Sequence, residues 1–269
     1  MSEHLERLAR VYGGPDEVWE RLSASTDPLG PEYLLEVAGS YLKPGDKLLD
    51  AGCRNAGHLV RLLKSNEVTA VGIDPLAVHV ERAEGEVLAA DLSKRATILK
   101  GVAQSIPVPD AFFDFIWCRD VVGVVDQLPE ALAEMRRALN PEGHLLLYSV
   151  FATERLEPRE AELVHRPMGN IPANYDRPRV ERLFGEAGLS IERVEEIGTQ
   201  WREYEEERTQ PASDALLRLA RLRHRKSQIV EEFGQEEFDV EQASLHWLVY
   251  IFLGKLMPVM YVLRREPTI

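Results

Sequence analysis

Two acidic residues, and the small residues that follow the first of them, are where chemistry is most readily placed. In Leu49-Asp50-Ala51-Gly52-Cys53-Arg54-Asn55-Ala56-Gly57-His58 an apolar run ends on a carboxylate and passes through small residues toward an amphipathic segment. Small side chains let backbone approach a ligand closely, and in open α/β sheets ligands lie beyond the carboxyl ends of the strands, where strand order reverses. Asp74 stands 24 positions after Asp50, at the end of the next apolar run. An ionised carboxylate only accepts hydrogen bonds, so at that place it suits the paired hydroxyls of a ribose.

Further candidates lie downstream. Asp120 follows another apolar run, Phe113 to Cys118, where a carboxylate ordinarily caps the segment from Val121. Trp201, Arg202 and Tyr204 cluster in sequence, and His246 and Tyr250 share a helix face by their spacing, with Trp247 beside them. These aromatics either line a pocket for a planar molecule or belong to the core, and His246 is either a base or a structural hydrogen-bonding group. Arg218, Arg221, Arg223, Arg225 and Lys226 form the one basic run, read as a solvated helix face. The remaining histidines show no metal-ligand spacing with Cys or acidic partners, so no metal is assigned.

The elements that must position these residues follow from periodicity. Residues 3–41 carry apolar positions at helix spacing, punctuated by Asp27-Pro28 and Gly30-Pro31. From Asp46 short apolar runs alternate with amphipathic helices, as in a parallel sheet with crossovers. Strands are expected at 47–50, 68–74, 96–100, 113–118 and 144–150, and helices at 57–65, from Pro75 and at 128–139. Asn140-Pro141-Glu142-Gly143 reads as a turn and stop signal. Later come a helix at 177–187, a strand at 190–198, long helical patterns at 213–233 and 240–256, and a last strand at 259–264. The order is that of a doubly wound α/β fold.

Composition narrows the classes. The 269 residues are 45% hydrophobic and 29% charged, which excludes wholesale disorder and fits one large domain, or a domain with an appendage. A formal charge of −13 disfavours a polyphosphate partner, so no nucleic acid is expected. Cys53 and Cys118, the only cysteines, are too few for a disulfide framework and suit a reduced cytoplasm. The apolar run 245–263 is interrupted by Lys255 and Pro258, so a buried helix and strand are expected rather than a membrane span.

From Gly45 to Val150 the chain resembles the class I S-adenosylmethionine-dependent methyltransferases, in particular those acting on small molecules. Asp50 and Gly52 match the first two fixed places of that family's motif of an acid followed by three spaced glycines, whereas Arg54 and Ala56 stand at the other two glycine places. Gly72-Ile73-Asp74 resembles the ribose-binding strand end, and residues 101–110 resemble the segment beside the adenine, with Val102 in place of an acid. Residues 113–119 resemble the fourth strand, which faces the methionine moiety, and residues 140–146 resemble the turn into the fifth. Val124 occupies a position where many relatives have His.

The resemblance implies a Rossmann-like, seven-stranded, mostly parallel sheet with an N-terminal helical lead-in (1–44), a cofactor-binding core (45–150) and a C-terminal part (151–269). A helical substrate cap over about 205–256 would precede the last strand. It implies S-adenosyl-L-methionine as cofactor, S-adenosyl-L-homocysteine as product, no metal, and O- or N-methylation of a small molecule. The cofactor-binding residues would be Asp50, Gly52, Cys53, Arg54, Gly57, Asp74, Pro75, Val102, Ala103, Cys118 and Arg119. Arg54 would offer its guanidinium to a carboxylate of the cofactor or of a nearby acid, or else point outward in a structural salt bridge. Asp120 and His246 are the catalytic candidates, and Trp201, Arg202, Tyr204, Trp247 and Tyr250 the substrate-pocket candidates. A homodimer stays open. The alternatives are a non-catalytic S-adenosylmethionine-binding protein and an NAD(P)-dependent oxidoreductase. The latter shares the glycine-rich turn and the acid after the second strand, but Asp50 ahead of the glycines and the 101–110 segment favour the methyltransferase.

Overall fold

The structure, a computed structural model, describes residues 2–13 and 17–266. Three helices lead in: α1 (Glu3–Tyr12), α2 (Glu17–Ser23) and α3 (Tyr33–Tyr41). The Ser2 hydroxyl caps α1 by accepting from Leu5 N–H at 3.3 Å. Only α3 joins the core, through Leu34, Val37 and Ala38; α1 and α2 bury no side chain.

The alternating region follows as β1 (Lys47–Ala51), α4 (Gly57–Ser65), β2 (Thr69–Asp74), α5 (Ala77–Ala89), β3 (Ala96–Lys100), β4 (Phe113–Arg119), α6 (Leu128–Ala138) and β5 (Leu139–Ala152). Then come α7 (Pro158–His165), α8 (Arg177–Glu186), β6 (Leu189–Glu196), α9 (Gln200–Thr209), α10 (Pro211–His224), α11 (Lys226–Phe233), α12 (Gln235–Phe252) and β7 (Leu256–Arg265). The sheet has seven strands in the order β3-β2-β1-β4-β5-β7-β6. β7 runs antiparallel to both its neighbours and every other pair is parallel. Strand order reverses between β1 and β4, and a crevice is expected there.

The strands read as continuous apolar runs because both faces of the sheet are covered. Leu48, Phe115, Trp117 and Leu146 join the layer that holds α3 and α4, whereas Leu49, Ile116, Cys118, Leu145 and Leu147 join the layer that holds α6 and α8. Alternation along each strand makes that division.

Several expectations shift. The 140–143 turn does follow α6, but it lies within β5: Leu139 pairs with Phe113, the register slips, and pairing resumes at His144 with Phe115. Asn140 Nδ2 donates to Asp114 Oδ1 at 2.6 Å, and Asp114 Oδ2 accepts from Lys47 N–H at 2.8 Å, which ties this bulge to β1. The single helical pattern at 213–233 is two helices broken at Arg225. α12 ends at Phe252 and the last strand begins at Leu256, because Gly254, at φ +65°, turns the chain between them. α7 and α9, both unanticipated, are short and weakly patterned; α7 starts from a capping box between Glu157 and Glu160. The basic run on α10 and α11 is solvent-exposed, with Arg218 paired to Asp214 at 2.6 Å. No helix among the described residues is long and apolar enough to cross a membrane.

Candidate active site

The loop from β1 to α4 is pinned to β2, since the N–H groups of Gly52 and Cys53 both donate to Ile73 O at 2.9 Å. Gly52 sits at φ +81°, and a Cβ there would lie 2.4 Å from Val121 Cγ2, so only glycine fits. Arg54 and Ala56 occupy the left-handed region as well, at φ +49° and +60°. Both keep the conformation a glycine would take despite a Cβ, at roughly 1–2 kcal/mol each. Asp74 holds the arrangement together: Oδ2 accepts from Arg54 N–H, and Oδ1 from Leu76 N–H and lies by His79 Nδ1, each at 3.0 Å.

Beyond the strand ends these loops enclose a cavity of about 550 Å³. Asp50, Gly52, Cys53, Arg54, Asp74, Pro75, Val102, Ala103 and Arg119 line it. Gly57 and Cys118 do not. Gly57 opens α4 behind the loop, and Cys118 is fully buried in the α6 layer because alternation along β4 turns Trp117, not Cys118, to the cavity. Asn55, His58 and His79 also line the cavity, and sequence reasoning missed them. Spacing gave a faint signal for His58, in the first turn of the helix after the loop, and for His79, in the first turn of α5 after the second carboxylate.

The cavity wall carries unusual protonation. Asp50, only 3% exposed, is pushed up to about 7, chiefly by desolvation and then by the charge of Asp74, with Arg119 opposing. His58 is driven down to about 4 by desolvation and by Arg119, so it is neutral. Its Nε2 lies 2.6 Å from Arg119 Nη1 and, facing a permanent donor, accepts; the ring proton is therefore on Nδ1. The Cys53 thiol is raised to about 12 by desolvation and the two carboxylates and is no nucleophile at neutral pH.

Arg119, Asp120 and Val124 also line a second chamber of about 280 Å³. Its other walls include Tyr148, Ser149, Asn170, Tyr175, Arg202 and Trp247. Asp120 is itself in the left-handed region, at φ +59°, with its N–H donating to Tyr148 O at 3.0 Å and Oδ2 accepting from Arg119 Nε at 3.2 Å. Its side chain is 54% exposed and lines both cavities. The cavity walls around it raise its pKa by desolvation, against the lowering pull of Arg119 and Arg202. Arg119 lies over the rings of Tyr148 and Trp201, at 5.6 and 5.1 Å, and these rings stack at 4.8 Å.

Of the aromatic and basic candidates in the last third, only Arg202 and Trp247 face this chamber. Trp201 is buried behind Tyr148, Tyr204 packs over Gly30, and Tyr250 is buried against Ile251 and its neighbours in the core. His246 lines neither cavity: its Nδ1 donates to Gln242 O at 2.7 Å and its ring meets Tyr250 edge to face. One residue along α12 is a rotation of about 100°, so placing Trp247 at the chamber turns His246 away from it. Tyr148 and Tyr175 were missed because their neighbours in the chamber are distant in sequence. Among the described residues no group of three His, Cys, Asp or Glu side chains stands ready to hold a metal ion.

A doubly wound sheet with one reversed strand, and a cavity at its switch point lined by a glycine cradle and a strand-end carboxylate, defines an α/β protein built to hold a nucleoside-type ligand. Comparison with known proteins narrows this. Residues 25–194 match the family described as "Methyltransferase domain", and the chain belongs to the class I S-adenosylmethionine-dependent methyltransferases. It is 29% identical over 183 residues to the 27-O-demethylrifamycin SV methyltransferase of Amycolatopsis mediterranei, covering 66% of this chain and 67% of that one. It is 33% identical over 130 residues to the malonyl-acyl-carrier-protein O-methyltransferase of Serratia marcescens, covering 47% of this chain but only 46% of that relative. Among solved structures it resembles the 4+2 cyclase SpnF with a TM-score of 0.69 at 20% identity, over 88% of this chain and 81% of that one.

Proposed function

We propose that the chain binds S-adenosyl-L-methionine in the larger cavity and methylates a small-molecule acceptor, at oxygen or nitrogen, held in the smaller one. The observation that carries this reading is the junction: the two cavities share Arg119, Asp120 and Val124, at the end of β4 and just past it. The residues present fit the cofactor. Gly52 leaves a cradle that a Cβ would fill, and Asp74 retains lone-pair capacity for a ribose hydroxyl beside its three partners. Leu76 and Val102, half-exposed on the rim, offer apolar surface to a base. Arg54 forms no salt bridge among the described residues and is available to a carboxylate.

Bound there, the cofactor supplies an electrophilic methyl on a sulfonium, which leaves as a neutral thioether. The chain's own residues then align the acceptor, exclude water and manage one proton. Asp120 is the group placed to take that proton, because it faces both cavities and its raised pKa makes it a stronger base than an ordinary carboxylate. Arg119 holds Asp120 in position from one side and is itself held by neutral His58 from the other. The two cysteines, both buried and unpaired, support a reducing, cytoplasmic setting.

The fold by itself does not prescribe methyl transfer, since a structural neighbour bears the name of a cyclase. Calorimetric titration with S-adenosylmethionine and S-adenosylhomocysteine, with NAD(H) as control, is the direct test. Micromolar binding of the adenosyl ligands alone is expected, weakened at least tenfold in Asp74→Ala. No binding of either would overturn the assignment, and binding without transfer across an acceptor panel would point to a binding protein.

A further inference from the structure

The acceptor chamber has a chemical bias of its own. The whole chain carries a formal charge of −13, yet two of the three charged side chains that line the chamber are guanidinium groups, Arg119 and Arg202, and the third is Asp120. Arg202 donates through Nη1 to Glu205 Oε2 at 2.8 Å, and Glu205 itself stands outside the chamber lining. Arg119 spends one N–H on Asp120 and one on His58. Most of the remaining guanidinium N–H groups have no partner among the described residues. The Tyr148 and Tyr175 hydroxyls, on largely buried rings, likewise make no hydrogen bond there. Tyr175 reaches the chamber floor because Gly123 has no side chain; a Cβ would come within 2.4 Å of its hydroxyl. Against these donors the lining sets the Asp120 carboxylate and the side-chain oxygens of Ser149 and Asn170, so donors outnumber acceptors and cluster at the two guanidinium groups, whose complement is an anionic, acceptor-rich group.

Shape adds a second constraint. Trp247 and Tyr175 meet edge to face at 5.5 Å and present aromatic surface to the space in front of Asp120. A volume of about 280 Å³ falls below the ~300–1,000 Å³ of pockets that enclose drug-sized ligands, and leaves room for one ring with its substituents.

Resting on the methyltransferase reading, we propose that the chamber selects single-ring, planar acceptors that carry a carboxylate, with Arg202 as the specificity-determining residue that receives it. The ring lies against Trp247 and Tyr175, and the group to be methylated points to Asp120. Planar guanidinium and carboxylate match in geometry as well as charge, which a neutral amide of the same shape does not.

Calorimetric titration of 4-hydroxybenzoate and of its neutral isostere 4-hydroxybenzamide tests this, into the protein alone and into the protein loaded with S-adenosylhomocysteine. The wild type is expected to prefer the carboxylate by tenfold or more. Arg202→Gln should reduce that preference to about twofold while leaving S-adenosylhomocysteine affinity intact. Glu205→Gln, which frees Arg202 from its partner, should increase it. Equal affinities in the wild type, a preference that survives Arg202→Gln, or no binding of either probe would overturn the proposal. Failure of S-adenosylhomocysteine to bind while the carboxylate preference holds would instead overturn the methyltransferase reading and leave the anion site standing.

Discussion

Gly52→Ala is the sharpest perturbation of the cofactor cavity. At φ +81° an alanine pays roughly 1–2 kcal/mol for the left-handed region. Its Cβ would also stand 2.4 Å from Val121 Cγ2, where ordinary contacts are 3.4–4 Å, and relieving such overpacking costs about 1–3 kcal/mol. The sum is about 2–5 kcal/mol, read as a fall in the urea midpoint at constant slope. Val121 lines the cavity, so part of the strain can instead push its side chain into the ligand's space; S-adenosylhomocysteine affinity must therefore be measured alongside stability. Val121→Ala removes the offending methyl groups. In Gly52→Ala/Val121→Ala the overlap vanishes and only the backbone cost remains, giving a coupling of about 1–3 kcal/mol in a double-mutant cycle. If stability and affinity both prove additive within about 0.5 kcal/mol, the contact across the loop is not what demands glycine, and the cradle argument fails.

Ala56 caps α4 without a side-chain bond and in the left-handed region, so Ala56→Gly should raise stability by about 0.5–1 kcal/mol after the extra entropy of glycine; a loss in thermal melts would contradict this. Asp50 has its folded-state pKa raised from 3.8 to about 7, so the folded chain binds more protons than the unfolded one between those values and stability drains away as pH rises through that window. Asp50→Asn should therefore stabilise the ligand-free protein by on the order of 3 kcal/mol at pH 8 and hardly at all at pH 4. Taking the difference from wild type cancels the opposite trend of His58, and a difference that does not change with pH would refute the burial argument. For an acceptor that must lose a proton, Asp120→Asn should lower kcat by about 10²–10⁴-fold with S-adenosylhomocysteine binding unchanged; an unchanged kcat would remove Asp120 as the base.

What the amino-acid sequence determined by itself is the frame and one end of the site. Short apolar runs alternating with amphipathic helices specify a sheet buried on both faces, because only covered strands read as continuous runs. Asp50 and Asp74 were legible because each ends a strand, and in this topology strand ends converge on the crevice whatever the details of packing. The glycine places filled by Arg54 and Ala56 were legible as departures, but only the folded loop shows that both residues adopt the glycine-like conformation. The tertiary structure alone decided the acceptor chamber. Its walls come from residues 119–124, 148–150, 168–175, 202 and 247, and no local pattern relates segments so far apart in sequence. Helical spacing placed His246 and Tyr250 on one face without saying which face turns inward. α12 buries Phe238, Ala243, Tyr250 and Ile251 on more than one side, so no single apolar stripe orients it. Its rotation was settled by packing against α7, α10 and α11, and that rotation brought Trp247, rather than His246, to the chamber.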